Sequence, residues 1–201
     1  MSPDTMVFDI GNVFVRWDPR NYYRGVFNDD VKMEWFLANV CNYDWILSLD
    51  AGVTYEQGIR ELREKFPEYA SYIEQYPFGW ERMFSGVIDG TVEILRELKA
   101  KRTPVYAITN WSHETFPRAL ELFPFLRLFD GAIVSGVERI VKPDPAIFRL
   151  LLDRYDRRAE RCVFTDDLPK NVGAAEALGF YGHVFVGPEE LRAYLRDIGL
   201  L

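Results

Sequence analysis

Residues 6–14 read MVFDIGNVF: a short apolar run delivers one carboxylate, Asp9, then passes through Gly11 and Asn12 before turning apolar again. An acid at the end of a strand, just ahead of a turn, is poor core material. An ionised carboxylate costs several kcal/mol to bury unless something pairs it. Asp9 is therefore either a solvated strand end or the centre of a charged site. The stretch alone does not separate the two, so the rest of the chain must supply what a buried acid needs.

From Gly86 onward, helical patterns alternate with short apolar runs. Thr91–Ala100 carries apolar residues at helical spacing, PVYAIT (104–109) is rich in strand formers, and His113–Phe123 is helical again. The strands GAIVS (131–135) and RCVFT (161–165) alternate with helices over 146–155 and 171–178, the latter closed by Gly179. A last strand over 180–186 and a last helix over 188–196, with Pro188 in its first turn, complete the pattern. Alternation at this spacing predicts an α/β fold, a Rossmann-like parallel sheet with helices on both faces.

Between Asp18 and Ser85 the texture is different. Val31–Asn39, Asp44–Ala51, Thr54–Lys65 and Tyr69–Gln75 read as helices, with no convincing strand among them. Thr54 followed by Gln57 has the spacing of a capping box. The chain thus divides into a core of residues 1–16 and 86–201 and a small all-helical cap, 17–85, inserted after the first strand. Ligands of open α/β sheets bind beyond the carboxyl ends of the strands, so an insert leaving there sits over the crevice as a lid.

The bulk properties narrow the partners. The chain has 201 residues, 48% hydrophobic and 27% charged, enough for one core with a smaller appendage. Net charge is −7, with no Lys/Arg stripe, which argues against nucleic acid or an anionic membrane as partner. Cys41 and Cys162 fit no metal or redox spacing and read as reduced thiols. With neither a signal-like N-terminus nor a run of eighteen apolar residues, the expectation is a soluble, cytoplasmic protein.

Four groups of chemistry-bearing residues follow strand candidates: Asp9 with Gly11 and Asn12, Thr109–Asn110, Lys142 in VKPDP, and Asp166–Asp167 with Asn171 at the next helix start. Parallel strands bring all four to one edge. Three acids in one crevice repel each other unless a cation is present, and hard oxygen ligands of this kind suit Mg2+. Asn171 reads equally well as a helix cap or as a support for the acids. His113, expected in a helix, and His183, expected in the last strand, have no carboxylate partner at the spacing their elements require and read as structural.

The order Asp9…Thr109-Asn110…Lys142-Pro143…Asp166-Asp167…Asn171 resembles the four motifs of the haloacid dehalogenase superfamily of hydrolases. The insert resembles the C1-type cap of its subfamily IA, and DIGNV, ITNWS, VKPDPAIF and DDLPKNV are most similar to the sugar-phosphate phosphatase branch. The resemblance implies a magnesium-dependent phosphatase acting on a small phosphorylated metabolite, with Asp9 attacking phosphorus to form an aspartyl-phosphate. It implies Mg2+ on Asp9, the Gly11 carbonyl and Asp167, with Asp166 holding a metal-bound water. Thr109 and the Asn110 backbone would bind phosphoryl oxygens, and Lys142 would neutralise nucleophile and transferring group.

One departure stands out. Most phosphatases of the superfamily place a second Asp two residues after the nucleophile, as acid to the leaving oxygen and base to water; here that position is Gly11. The resembling branch also carries Gly there. Two rival readings remain. A 2-haloacid dehalogenase would use the same Asp9, with Arg16, Arg20 or Arg24 as halide cradle, but the twin acids argue against it. A binding or regulatory protein on the same scaffold would explain Gly11, but not the intact nucleophile, Lys142 and metal acids.

Overall fold

The computed structural model describes residues 2–201, with strands β1 (Thr5–Phe8), β2 (Val15–Trp17), β3 (Phe84–Val87), β4 (Val105–Thr109), β5 (Gly131–Val134), β6 (Cys162–Asp166) and β7 (Tyr181–Val184). Five of them form a parallel sheet in the order β5-β4-β1-β6-β7. The three central strands are apolar on both faces. In β1, Met6 and Phe8 enter one hydrophobic cluster and Val7 the other; in β4, Val105 and Ala107 oppose Tyr106 and Ile108. Such strands read as unbroken apolar runs because both faces are covered.

Helices Asp89–Ala100 and Pro188–Asp197 cover one face, burying Ile94, Leu95, Leu98, Leu191 and Leu195. Helices Pro145–Arg154 and Pro169–Glu176 cover the other, burying Ile147, Phe148, Leu151 and Ala175. This is the α/β arrangement expected. The strand order reverses at β1: β4 and β5 lie to one side, β6 and β7 to the other. Open parallel sheets place their ligands at such a reversal, here beyond the ends of β1, β4 and β6.

Residues between β2 and β3 are mostly helical, with Asp30–Asn39, Tyr43–Asp50 and Tyr55–Lys65 close to the expected spans. The expected helix over 69–75 is shorter, a 3₁₀ turn at Pro67–Tyr69 running into Ala70–Ile73. Thr54 caps its helix through Oγ1, accepting from the Gln57 N–H at 3.2 Å. The Gln57 side chain in turn donates through Nε2 to Glu61 at 2.8 Å. This segment has its own core, centred on Tyr23, Phe36, Leu49, Ile73 and Tyr76.

The segment is not wholly free of strand. Phe84 and Ser85 begin β3, which pairs antiparallel with β2, so the chain enters and leaves the helical segment along one two-stranded ribbon. Two further expectations shift. The helix expected from His113 begins at Phe116, because Pro117 has no N–H to donate and fits only in a first turn; His113 lies in the preceding turn. His183 lies in β7 as expected but has a carboxylate partner: Nε2 meets Glu190 Oε2 at 2.7 Å and Nδ1 meets Thr165 Oγ1 at 2.8 Å. It ties β6 to the last helix. Cys41 and Cys162 are buried and unpaired. No helix among the described residues is long and apolar enough to cross a membrane.

Candidate active site

Asp9 is the first residue beyond β1, and its N–H donates to the Thr165 carbonyl at 2.9 Å, which holds it against the end of β6. The turn behind it is closed by Asn12, whose φ of 52° lies in the left-handed region that Asn tolerates. The Asn12 N–H donates to the Val15 carbonyl, and its side-chain oxygen accepts from the Trp17 N–H. The Asn12 side chain also hydrogen-bonds Asp167. Asn12 thus joins the Asp9 loop to the second acid of the β6 pair, a role that its place in a turn did not suggest.

Lys142 arrives from the loop after β5 and is 1% exposed. Its ammonium lies 2.7 Å from Asp9 Oδ1 and 2.7 Å from Asp166 Oδ2. The loop is fixed by Asn110, whose side chain accepts from the Lys142 N–H at 2.8 Å and donates to the Lys142 carbonyl at 3.1 Å. Burial alone would lower the Lys142 pKa; Asp9 and Asp166 outweigh it and hold the ammonium above its usual value. Burial also pushes the Asp9 carboxyl up, against the pull of Lys142, and Asp167 is raised by burial and by Asp166.

Asp166 is fully buried and accepts four hydrogen bonds: from Lys142, twice from Asn171 Nδ2 at 2.9 and 3.0 Å, and from the Leu168 N–H at 2.9 Å. Asn171 therefore orients this acid rather than capping its helix. Thr109, at the end of β4, is 1% exposed and its hydroxyl has no hydrogen-bond partner. One oxygen from each of Asp9, Asp166 and Asp167 lies within 4.8 Å of the others. Three carboxylates against one ammonium leave two negative charges, which a divalent cation balances, and the donor set is the hard oxygen type that Mg2+ prefers. The residues fit the metal.

A cavity of about 110 Å³ adjoins this cluster, bordered on the sheet side by Gly11, Asn12, Asn110 and Trp111. Ile46, Leu49, Asp50, Tyr55 and Tyr76 close it from the helical segment, with Trp80 and Phe84 beside them. Trp111 stacks on Phe84 at 5.8 Å and 17°. Among the described residues, no arginine borders the cavity. Arg20 is held by Glu34 and Asp18, and Arg16 and Arg24 are exposed on the surface, so none of the halide-cradle candidates reaches it. Of the insert aromatics, Tyr22, Tyr23 and Trp45 are core, whereas Tyr55 and Trp80 face the cavity. Asp50 is a site residue that helical periodicity alone did not mark.

Residues 3–179 match the model of haloacid dehalogenase-like hydrolases, and the chain belongs to that family of enzymes. Among curated proteins it is 37% identical over 89 residues to the sesquiterpene phosphatase astK of Aspergillus oryzae, covering 44% of this chain and 45% of that one. It is 28% identical over 115 residues to the chloroplastic flavin mononucleotide hydrolase 1 of Arabidopsis thaliana, covering 56% and 46%. The match spans less than half the length of either relative. A crystal structure of a family enzyme from Bacteroides thetaiotaomicron, in complex with magnesium and inorganic phosphate, superposes with a TM-score of 0.70 at 19% identity, over 90% of this chain and 93% of that one.

Proposed function

We propose that the protein is a magnesium-dependent phosphatase that hydrolyses a small phosphate monoester through an aspartyl-phosphate on Asp9, as a cytoplasmic enzyme. The observation that carries this reading is the Lys142 ammonium held 2.7 Å from both Asp9 and Asp166, with Asp167 beside them. A carboxylate attacking a phosphate faces charge repulsion, so the work of the site is electrostatic and positional. Asp9 and Asp167 would hold Mg2+ directly with the Gly11 carbonyl, because the four hydrogen bonds on Asp166 use all the lone-pair positions of a carboxylate. Asp166 would then support the metal without a direct bond to it, and it anchors Lys142. When bound, the metal supplies positive charge to the phosphoryl group.

The chain's own residues do the rest. Lys142 pulls Asp9 toward its ionised form against the burial that favours the proton, and neutralises charge as the phosphoryl group moves. The unpartnered Thr109 hydroxyl donates to a phosphoryl oxygen, with the Asn110 backbone beside it. The aromatic and aliphatic cavity wall takes the alcohol portion. Such a wall suits the faces of a sugar ring as well as an apolar alcohol.

The test is phosphate release from a panel of monoesters, including sugar 1-phosphates and phosphates of apolar alcohols, with Mg2+ and with EDTA. Turnover should require Mg2+, vanish in Asp9→Asn, and leave one phosphoryl group on the acid-quenched wild-type protein at Asp9. Turnover that survives EDTA, or a phosphoryl group on another residue, overturns the reading.

A further inference from the structure

The cavity beside the Asp9 loop contains one carboxylate to which the mechanism above gives no role. Asp50 ends helix Tyr43–Asp50 and faces the cavity that Gly11 borders from the other side. Its position is fixed against the sheet. The Ser135 hydroxyl donates to the Asp50 carbonyl at 2.6 Å and accepts from the Trp111 N–H at 2.9 Å. The Asp50 carboxylate accepts from the Ser112 backbone. The turn that follows packs so closely that a Cβ on Gly52 would stand 3.1 Å from the Gly136 carbonyl. These ties hold the end of the helix, and with it the Asp50 carboxylate, against the loop after β4 and the short helix after β5.

The space across the cavity is complementary. A Cβ added to Gly11 meets no atom within 4 Å, so the backbone leaves room for a side chain there and the sequence does not use it. Among the described residues, no cation lies within ion-pair distance of Asp50. The titratable groups facing it are Lys142 from the sheet and Tyr55 and Tyr76 from the helical segment, with Glu114 beside Tyr55. Burial pushes the Asp50 carboxyl up to about 7, Lys142 and the Ser112 backbone pulling the other way. At neutral pH the group therefore holds a proton for part of the population, as a general acid must.

We propose that Asp50 is the proton donor to the leaving oxygen and then the base for the hydrolytic water, in place of the acid absent at position 11. The assignment rests on the phosphatase reading above. In the first step the Asp9 carboxylate forms a bond to phosphorus and the ester P–O bond breaks. The Asp50 proton passes to the departing oxygen, giving the alcohol and an Asp50 carboxylate. In the second step, that carboxylate takes a proton from water as its oxygen attacks the phosphorus of the aspartyl-phosphate. Inorganic phosphate leaves, the Asp9 carboxylate is restored, and Asp50 is again protonated.

The experiment compares hexyl phosphate, whose alkoxide needs a proton to leave, with p-nitrophenyl phosphate, whose phenolate does not, in the intact protein with Mg2+. Asp50→Asn should lower kcat/KM for hexyl phosphate by about 10²–10⁴-fold and leave kcat/KM for p-nitrophenyl phosphate within a few-fold of wild type. On the aryl ester kcat and KM should fall together, because only the second step loses its base. The decline of kcat/KM for hexyl phosphate above about pH 7 in the wild type should disappear in the variant, and adding Gly11→Asp should restore part of the loss. Equal loss on both esters, or no loss on either, overturns the assignment while the phosphatase reading stands. Wild-type protein inactive on both esters and on the wider panel overturns the two together.

Discussion

Lys142 is a full positive charge with almost no solvent around it, held by two carboxylates and by the backbone clamp of Asn110. Its removal leaves Asp9 and Asp166 side by side and unneutralised, and breaking a buried pair costs about 3–5 kcal/mol. Lys142→Ala in EDTA should therefore lower the unfolding free energy measured in urea by an amount in that range at pH 7. Without Lys142 the Asp9 carboxyl, which burial already raises, loses the charge that pulls it back down, so the loss is absent below the unfolded carboxylate pKa and grows as pH rises. Mg2+ should recover part of it by supplying the missing charge. Unfolding curves at pH 4 and pH 7, with and without the metal, check this. The placement of Asp9, Thr109 and the Asp166–Asp167 pair at one sheet edge was legible because each stands at or just past the end of an apolar run, whereas Lys142 lies eight residues beyond β5 and was marked only by the order of the motifs. Asn171 was ambiguous because a cap and an acid-orienting amide both belong at a helix start; only its two bonds to Asp166 decide it.

Among the elements, the short helix Ser135–Glu138 after β5 carries more than its length suggests. A Cβ on Gly136 would stand 2.4 Å from the His113 nitrogen and 2.7 Å from the Trp111 carbonyl, all backbone that cannot swing aside. Gly136→Ala should destabilise by about 1–3 kcal/mol and push the Trp111 loop outward, read as a lower thermal midpoint together with a change in tryptophan fluorescence. The central strands were legible because burial on two faces leaves an unbroken apolar run. The ribbon of β2 and β3 was not. VRW and FSGV are too short and too mixed to show a period, and each finds its partner only after the chain has travelled through the whole helical segment. Asp50 was hidden for a related reason: its own helix gives no sign of the loop on which it docks.

At the scale of the molecule, the cavity carboxylate is a cost to folding. Asp50 has its carboxyl raised from 3.8 to about 7 by burial, so its protonated form favours the folded state. That contribution is full below about pH 4 and is lost as pH rises through 7. Asp50→Asn keeps the shape and removes the titration. Its unfolding free energy relative to wild type should therefore rise between pH 4 and pH 8, by up to about 4 kcal/mol, with the thermal midpoint moving the same way. A variant that gains stability while losing turnover separates chemistry from folding in one protein.

In the β2–β3 ribbon, Trp17 and Phe84 stand opposite each other in the pairing register. Seen from the sheet, the helical segment is a graft on a single stalk: everything between those two residues leaves and returns at one spot, and no strand of the sheet is spliced to make room for it. Exchange of such a graft leaves the sheet edge that carries Asp9, Lys142, Asp166 and Asp167 where it is, but it takes Asp50 and most of the cavity wall with it.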